Sequence, residues 1–128
     1  MTRITRAYLK LREKITPYLY TLTRAAQDGM PIVRPLFLAF PHERVNYTNQ
    51  VKHEFMLGNN LLIAPITNGR EDPSGASLKD NLYLPDHRTM WIDLFTGKKL
   101  IGGRIYDKLH YPLSVSYTHL TLPTILLV

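Results

Sequence analysis

The chain has 128 residues, a length that fits one small domain or parts of two. Hydrophobic residues make up 45% and charged residues 20%, which is ordinary for a folded globular protein and argues against disorder. There is no cysteine, so disulfides and thiolate metal sites are excluded, and no apolar run is long enough to span a membrane.

The formal net charge is +6, a value that leaves a nucleic-acid partner open as a possibility. No secretory signal opens the chain. Together with the lack of cysteine, this fits a cytoplasmic location, which is our expectation.

The first predicted element is an amphipathic helix that ends near Gly29. Its apolar residues recur at steps of three and four; they are Ile4, Ala7, Tyr8, Leu11, Ile15, Leu19, Leu22 and Ala26. Pro17 predicts a kink or break near Thr16 because it removes a backbone donor. The helix also carries basic residues: Arg3, Arg6, Lys10, Arg12 and Lys14. These residues form either a phosphate-binding face or, as we favour, the solvated face of a helix that packs on a core.

The stretch from Pro31 to Phe40 is almost entirely apolar. Such a run predicts a strand that is buried on both faces, as in a parallel sheet covered by helices. Pro35 cannot donate to a strand ladder and marks a bulge or a strand end. Arg34 is the one charge in the run, and a buried arginine needs a carboxylate or several carbonyls around it. We expect a structural ion pair, with an anion-binding role as the alternative.

Short elements fill the second half of the chain. Val51 and Phe55 suit a short helix that ends at Gly58, and Leu61–Ile66 predicts a short buried strand. Residues 68–80 are typical of an exposed loop. The stretches "NLYLP", "MWIDLF", "LIGG" and "RIYDKLHYPL" then predict short strands of an antiparallel sandwich. The change from α/β to all-β patterning places a domain boundary near residue 60.

Few residues suggest chemistry. The acidic residues fall mostly on helix faces or in loops, and the five histidines show no pair at ligand spacing. Phosphate-binding loops, nucleophile elbows and zinc signatures are absent from the sequence. We therefore predict no catalytic, substrate-binding or metal-binding residue and no cofactor. Trp91 and Asp93 are read either as a sugar-stacking pair or, as we favour, as a core tryptophan and a turn-forming aspartate.

Four stretches carry a family resemblance, in order and at matching spacing: "YLKLREKITPYLYTL", "GMPIVRPLFLAFP", "EFMLGNNLLIAPI" and "NLYLP…MWIDLFTGKKLIGG". Over residues 4–113 the chain resembles glycoside hydrolase family 31, the α-glucosidases and α-xylosidases. The resemblance implies an α/β plus all-β fold. Residues 1–60 would be the last helix and strand of a (β/α)8 catalytic barrel, and residues 61–114 an incomplete antiparallel β-sandwich.

The resemblance also implies retaining hydrolysis, in which one carboxylate attacks the sugar and a second transfers the proton. The family's two catalytic carboxylates lie upstream of the residues matched here, so none is assigned. The chain is then expected to be an inactive part of an enzyme that hydrolyses terminal α-linked glucosyl or xylosyl residues. Its partner would be an α-linked oligosaccharide or glycoside, with neither a nucleic acid nor a membrane involved. The alternative is a small basic nucleic-acid-binding module.

The end of the chain, "SVSYTHLTLPTILLV", has no charged residue and differs in character from what precedes it. The DNA sequence GTC TCT TAT ACA CAT CTG ACG CTG CCG ACG, which is similar to a transposase adapter used in sequencing libraries, would translate to Val115–Thr124 without a mismatch. We therefore predict that residues 115–128 are a non-native, adapter-derived tail.

Overall fold

The structure is a computed structural model that describes residues 2–66, 73–75, 77–94, 96–111 and 124–127. Helix α1 spans Thr2–Ala26 and is followed by a turn in which Gly29 has a φ of 90°. Pro17 lies inside α1, which continues as one helix, so the break considered near Thr16 does not occur. The reason is that proline removes one hydrogen bond from a long helix that also packs on the rest of the chain. Among the described residues, no helix is both long and apolar enough to cross a membrane.

Helix α1 is held against the turn that follows Leu57. The Tyr18 hydroxyl donates to the Leu57 carbonyl oxygen at 2.8 Å and accepts from the Asn60 N–H at 3.2 Å. Gly58 has a φ of +68°, and a Cβ at this position would lie 2.4 Å from Tyr18 Oη and 2.5 Å from a Leu22 methyl group. Only glycine combines this backbone conformation with such a close approach of the helix.

After α1 the chain consists mainly of short strands. The further elements are β1 Val33–Pro35, α2 Leu36–Ala39, 3-10 helices at Arg44–Tyr47 and Asn49–Val51, β2 Phe55–Leu57, β3 Leu61–Ile63, β4 Ser77–Lys79, β5 Leu82–Leu84, β6 Met90–Asp93, β7 Lys99–Ile101, β8 Arg104–Tyr106, β9 Leu109–Tyr111 and β10 Thr124–Leu127. They form a six-stranded sheet in the order β1-β2-β3-β10-β6-β7 and the pairs β4-β9 and β5-β8. Every described pairing is antiparallel. Small antiparallel sheets of this kind are consistent with a β-sandwich.

Two predictions for the first half of the chain are wrong. The buried parallel strand predicted over Pro31–Phe40 is instead the short β1, which pairs antiparallel with β2 and leaves Val33 54% exposed. Pro35 has no N–H for a ladder, and the chain turns there into α2. The helix predicted before Gly58 is the strand β2, preceded by the 3-10 helix at Asn49–Val51.

The strand predictions for the second half are confirmed. β3 covers Leu61–Ile63 of the predicted stretch Leu61–Ile66, and β5, β6, β8 and β9 fall within the predicted stretches. β7 overlaps "LIGG" but begins one residue earlier, at Lys99. The predicted loop at residues 68–80 lies partly outside the described residues and ends in β4. The six-stranded sheet passes from β2 to β3 across residue 60. The domain boundary near that residue and the barrel assignment of residues 1–60 stay predictions.

The core brings together residues of the six-stranded sheet and of β5 in the β5-β8 pair. Its buried residues are Leu36, Val51, Met56, Leu62, Ala64, Leu82, Tyr83, Leu84 and Trp91. Of the predicted non-native tail, residues 115–123 and 128 lie outside the described residues, whereas the backbone of Thr124–Leu127 forms β10 between β3 and β6.

Candidate functional site

Two cavities with charged residues in their lining are found among the described residues, and the first surrounds a buried acid. This cavity, the Glu54 cavity, has a volume of about 330 Å³ and lies between the 3-10 segment before β2 and the link from β4 to β5. It is lined by Asn49, Gln50, Lys52, His53, Glu54, Lys79, Asp80 and Asn81. The lining therefore combines amides with charges of both signs.

Glu54 is 4% exposed. Its Oε1 accepts a hydrogen bond from the Tyr83 N–H at 3.1 Å, whereas Oε2 is enclosed without a hydrogen-bond partner. Burial raises the pKa of Glu54 to about 7, against the opposing effects of the Tyr83 N–H and the positive charge of Lys79. Because a substrate cannot reach the enclosed Oε2, this perturbed acid is poorly placed for proton transfer.

Lys79 is the buried cation on the other side of this cavity. Its Nζ donates to the Pro65 carbonyl oxygen at 3.0 Å and so links β4 to the chain just after β3. Burial lowers the pKa of Lys79, and the nearby carboxylates of Glu54 and Asp80 oppose that shift. The opposite charges of Glu54 and Lys79 therefore offset part of the cost of burying each group, but burial remains the larger effect on the pKa of both.

Tyr83 is fixed between two carboxyl groups. Its backbone N–H donates a hydrogen bond to Glu54 Oε1, and its hydroxyl donates to Glu43 Oε2 at 2.6 Å. The other Glu43 oxygen accepts from the Asp86 N–H at 2.8 Å. Burial and the hydrogen bond to Glu43 raise the pKa of the Tyr83 hydroxyl. Because each contact joins β5 or its end to the segment between α2 and β2, we interpret this group as a scaffold.

The second cavity, the Arg34 cavity, has a volume of about 320 Å³. It is lined by Met30, Arg34, Leu38, Ala39, Phe40, Met56, Gly58, Asn59, Asp86, Thr89 and Trp91. Arg34 is 7% exposed; its Nε donates to the Pro31 carbonyl oxygen at 2.7 Å and its Nη1 donates to Asn59 Oδ1. In the described part of the chain Arg34 therefore lacks the carboxylate partner that we expected.

The sugar-stacking hypothesis for Trp91 and Asp93 is wrong. Trp91 is fully buried and donates from Nε1 to the Pro85 carbonyl oxygen at 2.9 Å, so its ring presents no exposed face on which a sugar could stack. Asp93 is also buried, and its Oδ1 accepts from the Thr96 N–H at 3.3 Å in the turn that leads to β7. The predicted core tryptophan and turn-forming aspartate are confirmed.

Other candidate residues do not converge on a site. The basic side chains of Arg6, Lys10, Arg12 and Lys14 are exposed on α1, as expected for a solvated face. Among the described residues, no group of three or more His, Asp or Glu side chains could hold a metal ion. The sequence interpretation overlooked Glu54, because its burial depends on contacts with Tyr83 and Lys79, which are distant in sequence.

The antiparallel sheets and their enclosed carboxyl groups describe a structural β domain, and comparison with known proteins identifies it. Residues 29–124 match the family profile described as the glycosyl hydrolase family 31 C-terminal domain. The chain belongs to glycoside hydrolase family 31.

Individual relatives agree with this assignment. Alpha-glucosidase 2 of Bacillus thermoamyloliquefaciens is 37% identical over 105 residues, which are 81% of this chain and 12% of that protein. The alpha-xylosidase of Saccharolobus solfataricus is 36% identical over 101 residues, 78% of this chain and 13% of that protein. The crystal structure of a GH31 alpha-xylosidase from a soil metagenome complexed with xylose has a TM-score of 0.77 and 31% identity. That match covers 98% of this chain and 16% of the xylosidase.

Proposed function

We propose that this chain is part of a longer retaining α-glycosidase that hydrolyses terminal α-linked glucosyl or xylosyl residues, and that it is inactive by itself. The observation that carries the proposal is the similarity to proteins named alpha-glucosidase and alpha-xylosidase, at 37% and 36% identity. Because these identities are nearly equal, they do not favour glucosides over xylosides. The chain spans 12% and 13% of those two relatives.

The predicted inactivity rests on the carboxyl groups that the chain contains. Retaining hydrolysis needs two carboxyl groups about 5–5.5 Å apart, both facing the sugar. The buried acids Glu54 and Asp93 instead have hydrogen bonds to backbone N–H groups inside the domain. Glu43 is occupied by the Tyr83 hydroxyl and the Asp86 N–H. These acids support a structural role for the chain, in which the catalytic carboxylates belong to other parts of the enzyme.

The test is a comparison of two proteins made from the same source DNA. One is the 128-residue chain, and the other is the product of the gene as read from the source DNA by a method that adds no transposase adapter. We expect the longer product to release nitrophenol from p-nitrophenyl α-glucoside or α-xyloside and the chain to release none. Activity of the chain alone, or inactivity of a folded longer product on both substrates, would contradict the proposal.

A nucleic-acid-binding module is the second candidate function. The observation in its favour is the exposed basic face of α1, formed by Arg6, Lys10, Arg12 and Lys14. The same face is explained by a helix that packs through Tyr18 and Leu22 on the turn after β2 and leaves its other side to solvent.

A further inference from the structure

We propose that the Arg34 cavity is a docking site for an acidic side chain, an aspartate or glutamate carboxylate, carried by a protein surface that lies against β1 and α2. The inference rests on the proposed function, since the partner it commits to is the rest of the longer polypeptide. The partner is defined by its chemistry: one carboxylate surrounded by apolar side chains.

The first reason is the unbalanced charge of Arg34. Arg34 is only 7% exposed. Its hydrogen-bond partners among the described residues are nevertheless neutral: the Pro31 carbonyl oxygen and the Asn59 side-chain amide oxygen. A guanidinium has five N–H donors, and these two bonds leave the others unused. A buried cation is stable when a carboxylate compensates it, and arginine suits a carboxylate because its planar fork donates two parallel bonds.

The second reason is the arrangement of polar groups around the cavity. Asn59 is exposed, and because its oxygen accepts from Arg34, its NH₂ group is free to donate to an incoming carboxylate. Asp86 also lines the cavity, but its two oxygens already accept from the Thr89 hydroxyl at 2.6 Å and the Arg88 N–H at 3.1 Å. Within the described part of the chain, Asp86 therefore does not supply a carboxylate partner for Arg34.

The third reason is the apolar surface beside the cavity. Met30 and Leu38 line it and are 46% and 44% exposed, and Phe37 and Val33 add further exposed apolar area on the same elements. An apolar surround with a buried arginine at its centre is the composition of protein interfaces, where arginine is a frequent anchor. A small free anion would leave this surround exposed to water.

The lengths of the related proteins indicate where the partner surface comes from. The chain covers 12% of the glucosidase and 16% of the soil xylosidase, so most of each related polypeptide lies outside the region matched here. A surface of the same longer polypeptide is present at high effective concentration and needs no separate partner.

The test uses the 128-residue chain and two short peptides, Ac-Leu-Glu-Leu-NH₂ and Ac-Leu-Gln-Leu-NH₂. Binding is followed by NMR through the Arg34 Nε–H resonance and by the fluorescence of Trp91, which lines the cavity and is the sole tryptophan. We expect the glutamate peptide to bind about tenfold more tightly or better, because a charge-assisted pair replaces a neutral one. Equal affinities for the two peptides would overturn the proposal.

Variants separate the carboxylate contact from general stability. Asn59→Asp places a carboxylate beside Arg34 from within the chain, and we expect it to abolish the preference for the glutamate peptide; a retained preference contradicts the proposal. Since Asn59 is exposed, this variant is expected to fold.

Arg34→Lys keeps the positive charge but lacks the planar guanidinium group that donates two parallel hydrogen bonds. We expect it to reduce the preference for the glutamate peptide several-fold. If acetate at the same concentration reproduces the full shift, a small free carboxylate suffices and the docking surface is refuted. Glycosidase activity enters none of these readouts.

Discussion

Glu54 shows how a single buried residue can make the stability of this domain depend on pH. It has one hydrogen-bond donor, the Tyr83 N–H, and one nearby cation, Lys79, and neither fully compensates its burial. The folded protein therefore favours the protonated carboxyl group. Trp91 differs from Glu54 because, although it is fully buried, its one polar atom has a partner: Nε1–H donates to the Pro85 carbonyl oxygen.

Replacing Glu54 by Gln tests the first case. The folded-state pKa is raised from 4.5 to about 7, so the stability from this group is fully present below about pH 4.5 and is lost as the pH rises through about 7. Relative to Glu54→Gln, which keeps an acceptor for the Tyr83 N–H, the wild-type free energy of unfolding should fall by up to about 3 kcal/mol between about pH 5 and pH 8.

Urea unfolding at a series of pH values, followed by Trp91 fluorescence, measures this difference. The exposed Asp28→Asn serves as the control and should follow the wild-type pH dependence. Parallel curves for wild type and Glu54→Gln would show that the Glu54 charge is not costly in the folded protein.

Replacing Trp91 by Phe tests the second case. The variant loses the Nε1–H bond to the Pro85 carbonyl and leaves an unfilled space in the core. We expect a loss of about 2–3 kcal/mol in unfolding free energy. The measurement is urea unfolding followed by circular dichroism. Met90→Leu, on the exposed side of β6, is the control and should change stability by no more than about 0.5 kcal/mol. A fully stable Trp91→Phe would contradict the packing described here.

At the scale of elements, the sequence predicted those strands whose ends are marked by local turn residues. The strands after residue 80 were predictable because turns containing Gly97 and Gly103, both at positive φ, separate the short apolar runs. The stretches around Val33 and Phe55 were mispredicted because a short apolar run does not distinguish a buried parallel strand or a helix from a short antiparallel strand. The Arg34 and Glu54 cavities join residues distant in sequence, so periodicity could suggest their members but not their contacts.

The packing of α1 on the turn after β2 gives a prediction for Gly58→Ala. The added methyl group would overlap Tyr18 Oη and Leu22, and the residue would also be held at a φ of +68°. We expect a loss of about 3 kcal/mol and faster trypsin cleavage within α1. Gly97→Ala is a matched control, because its φ is +71° but nothing lies within 4 Å of the added atom. It should cost about 1 kcal/mol and leave α1 protected. Equal effects of both variants would contradict the docking of α1.

At the scale of the whole molecule, membership of glycoside hydrolase family 31 gives the separate observations one explanation. Glu54 and Glu43 accept internal hydrogen bonds and Trp91 is buried, which agrees with the supporting role that we propose for this chain. Its net charge of +6 is then a property of one region and need not reflect a charged partner.

The nucleic-acid alternative makes a distinct prediction at this scale. If the basic face of α1 bound phosphates, counterion release would make the affinity depend steeply on salt. We expect the chain to bind duplex DNA with a Kd weaker than about 100 µM at physiological salt, measured by fluorescence anisotropy. A Kd near or below about 1 µM, weakened by Lys10→Glu and Lys14→Glu, would favour the alternative.

The retaining α-glycosidase that we propose has its catalytic carboxylates outside residues 1–128, and covalent labelling tests this most directly. Mechanism-based labelling with 5-fluoro-α-D-glucosyl fluoride or its xylosyl analogue traps the covalent glycosyl-enzyme intermediate of a retaining enzyme. Intact-mass and peptide mass spectrometry then locate the adduct in the longer gene product and in the 128-residue chain. We predict one adduct in the longer product, on a carboxylate outside residues 1–128, and none in the chain. An adduct on any residue of the chain, or none in a longer product that hydrolyses α-glycosides, would contradict the account.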